Sequence, residues 1–219
     1  NESFTDILAI SPKKKTFFKI TDTQGISEFS PTPASNKEDF YTVRKEQDGT
    51  DQSLWKYPLS RSHYGERLFP NLHNIGYYCW MNPTQVAMFL VGEPHLLAIG
   101  NTLNGSSTTI TDKPGRCLKT NGKGLLYFVH KVSADLWILK SYDLNDDKML
   151  SICKMPEGVE DFEYITDGTF LATSKGKILT FDPKKSLQWN EVADLSSYGI
   201  TNIQRPIIKN NQLLFIHAK

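Results

Sequence analysis

The chain of 219 residues carries 25 Lys and Arg against 24 Asp and Glu, a formal net charge of +1. That balance excludes the basic excess of a nucleic-acid groove and the polybasic segments that hold proteins to anionic membranes. No run approaches the roughly 18 apolar residues needed to span a bilayer.

In chain order, "TDILAISPKKK" (5–15) gives a short apolar strand and then a polar turn, with Lys13, Lys14 and Lys15 as solvated turn residues. "KTFFKITD" follows as a second strand. In "GISEFSPTPASNKEDFYTV" (25–43), Pro31 and Pro33 forbid a helix, Ser35–Glu38 is turn chemistry, and Phe40–Val43 favours a strand. The same hairpin recurs around Asn82-Pro83, Asn121-Gly122, Asp167-Gly168 and Asn210-Asn211, at intervals of roughly forty residues, the period of propeller repeats. Asn-Gly and Asp-Gly are strong hairpin signals, since both central residues can take positive φ.

Half a period later come "QSLWKYPLSRS", "PHLLAIGNTLNG", "ADLWILKSYDLNDD" and "GKILTFDPKKS", each a strand and a polar turn. Outer strands follow in "ERLFPNL", "STTITD", "KMLSICKMP" and "QWNEVADL". The unit is a four-stranded antiparallel sheet with no helical period between copies, so under about a tenth of the chain should be helical. Four short strands per repeat predict an all-β, single-domain β-propeller of about five blades, over residues 23–70, 71–112, 113–156, 157–195 and 200–219 plus 1–22. A β-sandwich would not need a turn signal at the same phase in every unit. The first 22 residues hold the third and fourth strands of a unit, and the last twenty hold the first and second. Pairing of Leu213–His217 with Asp6–Ile10 would close the ring and remove two exposed edges.

With "SEFSPT", "LWKYPL", "GYYCW", "FLVGEPHLLAI", "GRCLK", "FVHK", "EDFEYITDGTFL" and "WNEVADLSSYGI" in view, the chain resembles the TolB-like, WD40-like (PD40-type) β-propellers of bacteria. Members carry S-P-D-G hairpins. Here Asn-Lys, Asn-Pro, Asn-Gly and Asn-Asn replace most Asp-Gly turns, and Asp167-Gly168 alone matches well. The resemblance implies about six blades against five here, and export to the periplasm. The chain starts without an initiating Met, so the lack of a leader carries no information.

Loops entering the innermost strands of a propeller converge on one mouth of its channel. The equivalent positions are Glu28, Tyr77, Arg116, Asp161 and Arg205, with Tyr78 and Glu160 adjacent. Arginine offers a planar donor fork suited to carboxylates, sugar acids or a peptide terminus. The same residues can instead pair with one another and simply close the channel.

Other chemistry is unsupported. Cys79, Cys117 and Cys153 form no C-x-x-C pair and read as small buried hydrophobes. His63, His73, His95, His130 and His217 lack metal-ligand spacing, and Ser30, Ser106 and Ser174 lack the G-x-S-x-G elbow. Asn104 fits a glycosylation pattern that carries little weight in a bacterial-looking chain. Trp55, Trp80, Trp137 and Trp189 read as inter-blade packing. These features point to a monomeric, non-enzymatic scaffold that binds a protein, peptide or glycan without a cofactor. A propeller enzyme of the polysaccharide-lyase kind, or the propeller part of a split hydrolase, is the alternative.

Overall fold

The computed structural model describes residues 4–11, 13–47, 49, 51–60, 64–165 and 167–217; Pro12 and His63 lie outside them. Two short strands come first, β1 (Leu8–Ser11) and β2 (Thr16–Lys19), paired antiparallel. The next sheet runs in sequence order through β3 (Ser27–Pro33), β4 (Asp39–Lys45), β5 (Gln52–Pro58) and β6 (Glu66–Arg67). A third sheet holds β7 (Ile75–Trp80), β8 (Gln85–Leu90), β9 (Leu96–Asn101) and β10 (Ser106–Asp112).

The order repeats in β11 (Pro114–Thr120), β12 (Leu125–Ser133), β13 (Leu136–Asp143) and β14 (Lys148–Lys154). It repeats again in β15 (Phe162–Tyr164), β16 (Phe170–Ser174), β17 (Lys177–Phe181) and β18 (Asn190–Asp194). The strands β19 (Ile203–Lys209) and β20 (Gln212–His217) form a last pair. One 3₁₀ turn, Ser196–Tyr198, is the only helical element among the described residues. Successive four-stranded sheets of this kind are propeller blades, and every hairpin expected from the sequence joins the first and second strands of its sheet.

The hairpin turns form in two ways. Both central residues have positive φ at Asn210 (51°) and Asn211 (57°). At Asn36, Asn121 and Asp167 the side-chain oxygen does the work instead, accepting backbone N–H groups two to four residues on, at 2.8–3.1 Å. These are Asx turns, which explains why Asn serves at these hairpins as well as Asp.

The expected closing ladder is absent from the sheets of the described residues: β1 pairs only with β2, and β20 only with β19. The segment ahead of β1 spends its backbone groups elsewhere. Thr5 O accepts from Glu28 N at 2.7 Å, Ile7 N donates to Thr21 Oγ1 at 2.8 Å, and Ile7 O accepts from Ile20 N at 2.8 Å.

The chain forms two compact units, Asn1–Tyr78 with Pro83–Ile110, and Cys79–Asn82 with Thr111–Lys219. In the first, Val43, Leu54, Phe69, Ile75, Val86, Met88 and Leu97 are buried. In the second, Tyr127, Val129 and Leu139 of one blade pack with Phe162, Phe170, Ala172 and Phe181 of the next. Outer strands such as β10 and β18 are largely exposed, and burial peaks on second strands such as β8, β12 and β16.

The β16–β17 turn is locked from both sides. Gly176 has φ +81°, and a Cβ there would meet the Ile200 carbonyl at 2.5 Å. Gly176→Ala is expected to cost about 2 kcal/mol or more in urea unfolding, through left-handed strain and the backbone clash. A change below about 0.5 kcal/mol would show that the 200–202 connection yields freely.

Candidate functional site

Three innermost strands of the second unit, β11, β15 and β19, lie in mutual succession, with contacts from β11 to β15 and from β15 to β19. The first and last of these carry β-bulges, between Pro114 and Leu118 and between Gln204 and Ile207, with Arg205 at φ 50°. A bulge re-aims the side chains of its strand, and it sits here at the positions that the repeat phase singled out.

Arg116, Glu160, Asp161 and Arg205 come together there. Arg116 Nε lies 3.3 Å from Glu160 Oε1, and Nη2 lies 3.5 Å from Asp161 Oδ2. Lys131 Nζ approaches Glu160 Oε2 at 2.8 Å, and the Arg205 backbone N–H donates to Asp161 Oδ2 at 3.2 Å. The Glu160 and Asp161 side chains are only 16% and 14% exposed, while Arg116 is 36% exposed. Largely buried carboxylates thus hold a guanidinium that still reaches solvent. A cleft of about 270 Å³ opens over this group, bounded by Arg116, the 157–161 segment, Thr173–Lys175 and Asn202–Gln204.

Deeper along the same strands the chemistry is closed. Lys119 Nζ bonds Glu163 Oε2 at 2.8 Å, and Cys117 Sγ lies 3.2 Å from the Phe162 carbonyl. Burial pushes the Cys117 and Cys153 thiols up to about 12 and Cys79 up to about 11, so none supplies a thiolate near neutral pH. The three cysteines are free and half-buried, less enclosed than the sequence suggests. Trp137 and Trp189 pack against the second unit's core, and Trp189 Nε1 donates to Lys154 O at 3.0 Å, as expected of packing residues. Among the described residues, no group of three or more His, Cys, Asp or Glu is placed to hold a metal ion. No helix among them is long and apolar enough to cross a membrane.

The remaining expected site residues lie in the first unit. Tyr78 Oη donates to Ser30 O at 2.9 Å, bridging its strand to the bulge of β3, and the Tyr77 ring meets Phe89 edge-on at 5.7 Å. Glu28 is fully buried rather than at a solvent-facing mouth. Its Oε2 accepts from Thr21 Oγ1 at 3.2 Å, and its Oε1 has no hydrogen-bond partner among the described residues. The segment through Thr5 covers it, which position in the repeat could not reveal. Sequence reasoning also missed Lys131, on a second strand, and Lys175, on a hairpin turn. Lys175-Gly176 is a turn signal that lies off the recurring hairpin phase.

No known family profile matches the chain, and no curated protein matches it. Solved structures do match. TolB from Acinetobacter baumannii superposes with a TM-score of 0.65 at 10% identity over 85% of this chain, which spans about half (48%) of that one. A nidogen/laminin complex gives 0.66 at 8% identity, covering 96% of this chain and 80% of that one. A puromycin hydrolase S511A mutant complexed with PGG gives 0.71 at 13% identity, covering 94% and 36%. At these identities the likeness is one of fold, and the fold is the β-propeller.

Burial raises the proton affinity of Glu28 above the ordinary carboxylate range, outweighing the hydrogen bonds from Thr23 and Thr21. Its contribution to stability is therefore complete below the ordinary carboxylate value and lost as pH rises through the folded-state value. Urea midpoints measured from about pH 4 to pH 8 should fall more steeply for the wild type than for Glu28→Gln. Parallel curves would contradict the assignment.

Proposed function

We propose that the chain forms one propeller domain and acts as a non-enzymatic scaffold, binding a protein, peptide or glycan through the polar cleft of its second unit. The observation that carries this reading is Arg116, held by two largely buried carboxylates yet open to a 270 Å³ cleft. A guanidinium fixed in advance costs little ordering when a ligand arrives. Had the group served only to close the channel, no cleft would be needed above it.

The similarity to TolB and to the nidogen/laminin complex supports a scaffold, and the three protonated thiols leave no cysteine nucleophile. The puromycin hydrolase likeness supports an enzyme only through fold, and this chain spans 36% of that protein. The reading is of a monomer working without a cofactor, in the exported, periplasmic setting that the TolB-like resemblance implies.

The test is a fluorescently labelled chain on a peptide array and a glycan array, with Arg116→Ala alongside. The wild type should bind members of one array. The variant should stay folded, lose about 1–2 kcal/mol of stability, and bind roughly tenfold more weakly, the scale of one charged hydrogen bond. Binding that Arg116→Ala leaves unchanged, or no binding on either array, overturns the proposal.

A further inference from the structure

Within the cleft, some charges are already spent and others are not. Glu160 is shared by Arg116 and Lys131, and Asp161 is engaged by Arg116 and the Arg205 N–H. Two lining residues stand apart, Glu157 and Lys175. Both are exposed, and neither makes an ion pair or a side-chain hydrogen bond with a described residue.

Each is also carried on a tight turn. Lys175 has φ 51° and is followed by Gly176, wedged against the Ile200 carbonyl. Glu157 precedes Gly158 (φ 69°) in a turn closed by Val159 N donating to Pro156 O at 3.1 Å. The cleft therefore carries one ammonium and one carboxylate, each borne on a backbone turn of defined shape.

Apart from these two and the Arg116, Glu160 and Asp161 group, the lining carries no charge and is mostly polar, with Val159 and Ile203 its apolar members. Thr173 Oγ1 is committed to Ile203 O at 3.0 Å, and Gln204 Nε2 donates to Asn202 Oδ1 at 3.2 Å. Ser174 and the remaining amide groups can meet a peptide main chain. Among the described residues no aromatic ring lines the cleft, so the stacking surface that commonly holds a sugar is missing from them. A purely anionic ligand would have to approach Glu157, and a purely cationic one Lys175. Only a ligand of both signs satisfies the two together, because like charges brought close repel and complementary ones fix register.

We propose that the cleft takes a short peptide segment bearing one basic and one acidic side chain, the acidic group on Lys175 and the basic group on Glu157. This rests on the reading of the cleft as a binding site.

The test uses N-acetylated, C-amidated hexapeptides of Gly and Ser that carry one Lys and one Glu at varied spacing and in both orders. Matched peptides carry only Lys, only Glu, or no charge. Backbone amide shifts of Ser174, Lys175 and Gln204 are followed by NMR as each peptide is added to the full chain. Mixed-charge peptides are expected to move these signals at the lowest concentration, with one order of charges preferred. Lys175→Gln and Glu157→Gln should each weaken the best peptide about fivefold, equivalent to ~1 kcal/mol. The exchanged pair Lys175→Glu with Glu157→Lys should prefer the peptide of reversed charge order, which a merely damaged fold could not do. Peptides that bind without preference for mixed charge overturn this inference and leave the binding site standing. Should no peptide move the three signals, short-peptide recognition by the cleft falls altogether, and only the protein and glycan forms of the wider reading survive.

Discussion

A four-stranded sheet with apolar residues on both faces cannot stand alone in water, and the rest of this structure depends on that constraint. The run Leu126–Val129 on β12 is buried without interruption, so neither face of that strand is available to solvent. In the second unit one face is covered by Phe162, Phe170 and Phe181 of the following blade. Burying an aromatic ring of this kind contributes about 2–3 kcal/mol, and truncating one costs about 3–5 kcal/mol. Packing of blade on blade brings successive inner strands side by side. The close approach is visible at Gly115, where a Cβ would lie 3.3 Å from Glu160 Oε2. The cleft and its charges follow from that approach.

Much of the fold is legible in the chain because each repeat states its turn and its apolar strands separately. Asn36, Asn121, Asp167 and Asn210 mark hairpins whichever way the turn is made, since Asx hydrogen bonding and left-handed backbone favour the same residue types. "LWKY", "LLAI", "LWILK" and "KILTF" all become third strands. The terminal strands are less legible. Strand pairing between distant segments depends on which backbone groups remain unspent, and the commitments of Thr5 and Ile7 to Glu28 and Thr21 leave no trace in a one-dimensional pattern.

The site divides along the same line. Repeat phase groups Arg116, Asp161 and Arg205, which the structure brings together, because all three belong to inner strands or the segments entering them. It misplaces Glu28, which has the right phase but is covered by a preceding segment. It passes over Lys131 and Lys175, whose positions in their blades differ from that phase, although one neutralises Glu160 and the other lines the cleft. Phase reports which strand a residue occupies. It does not report what lies over the side chain, and burial decides whether a carboxyl group anchors an arginine or is pushed toward its protonated form.

The central claim is that charges on neighbouring inner strands act as one organised group. A double-mutant cycle on Arg116→Ala and Glu160→Ala, with stability read by urea unfolding, tests it most directly. Contact at 3.3 Å between a half-exposed guanidinium and a largely buried carboxylate predicts a coupling energy of about 1 kcal/mol, reduced at high salt. Additivity within about 0.3 kcal/mol at low salt would contradict the account, because the two side chains would then be independent.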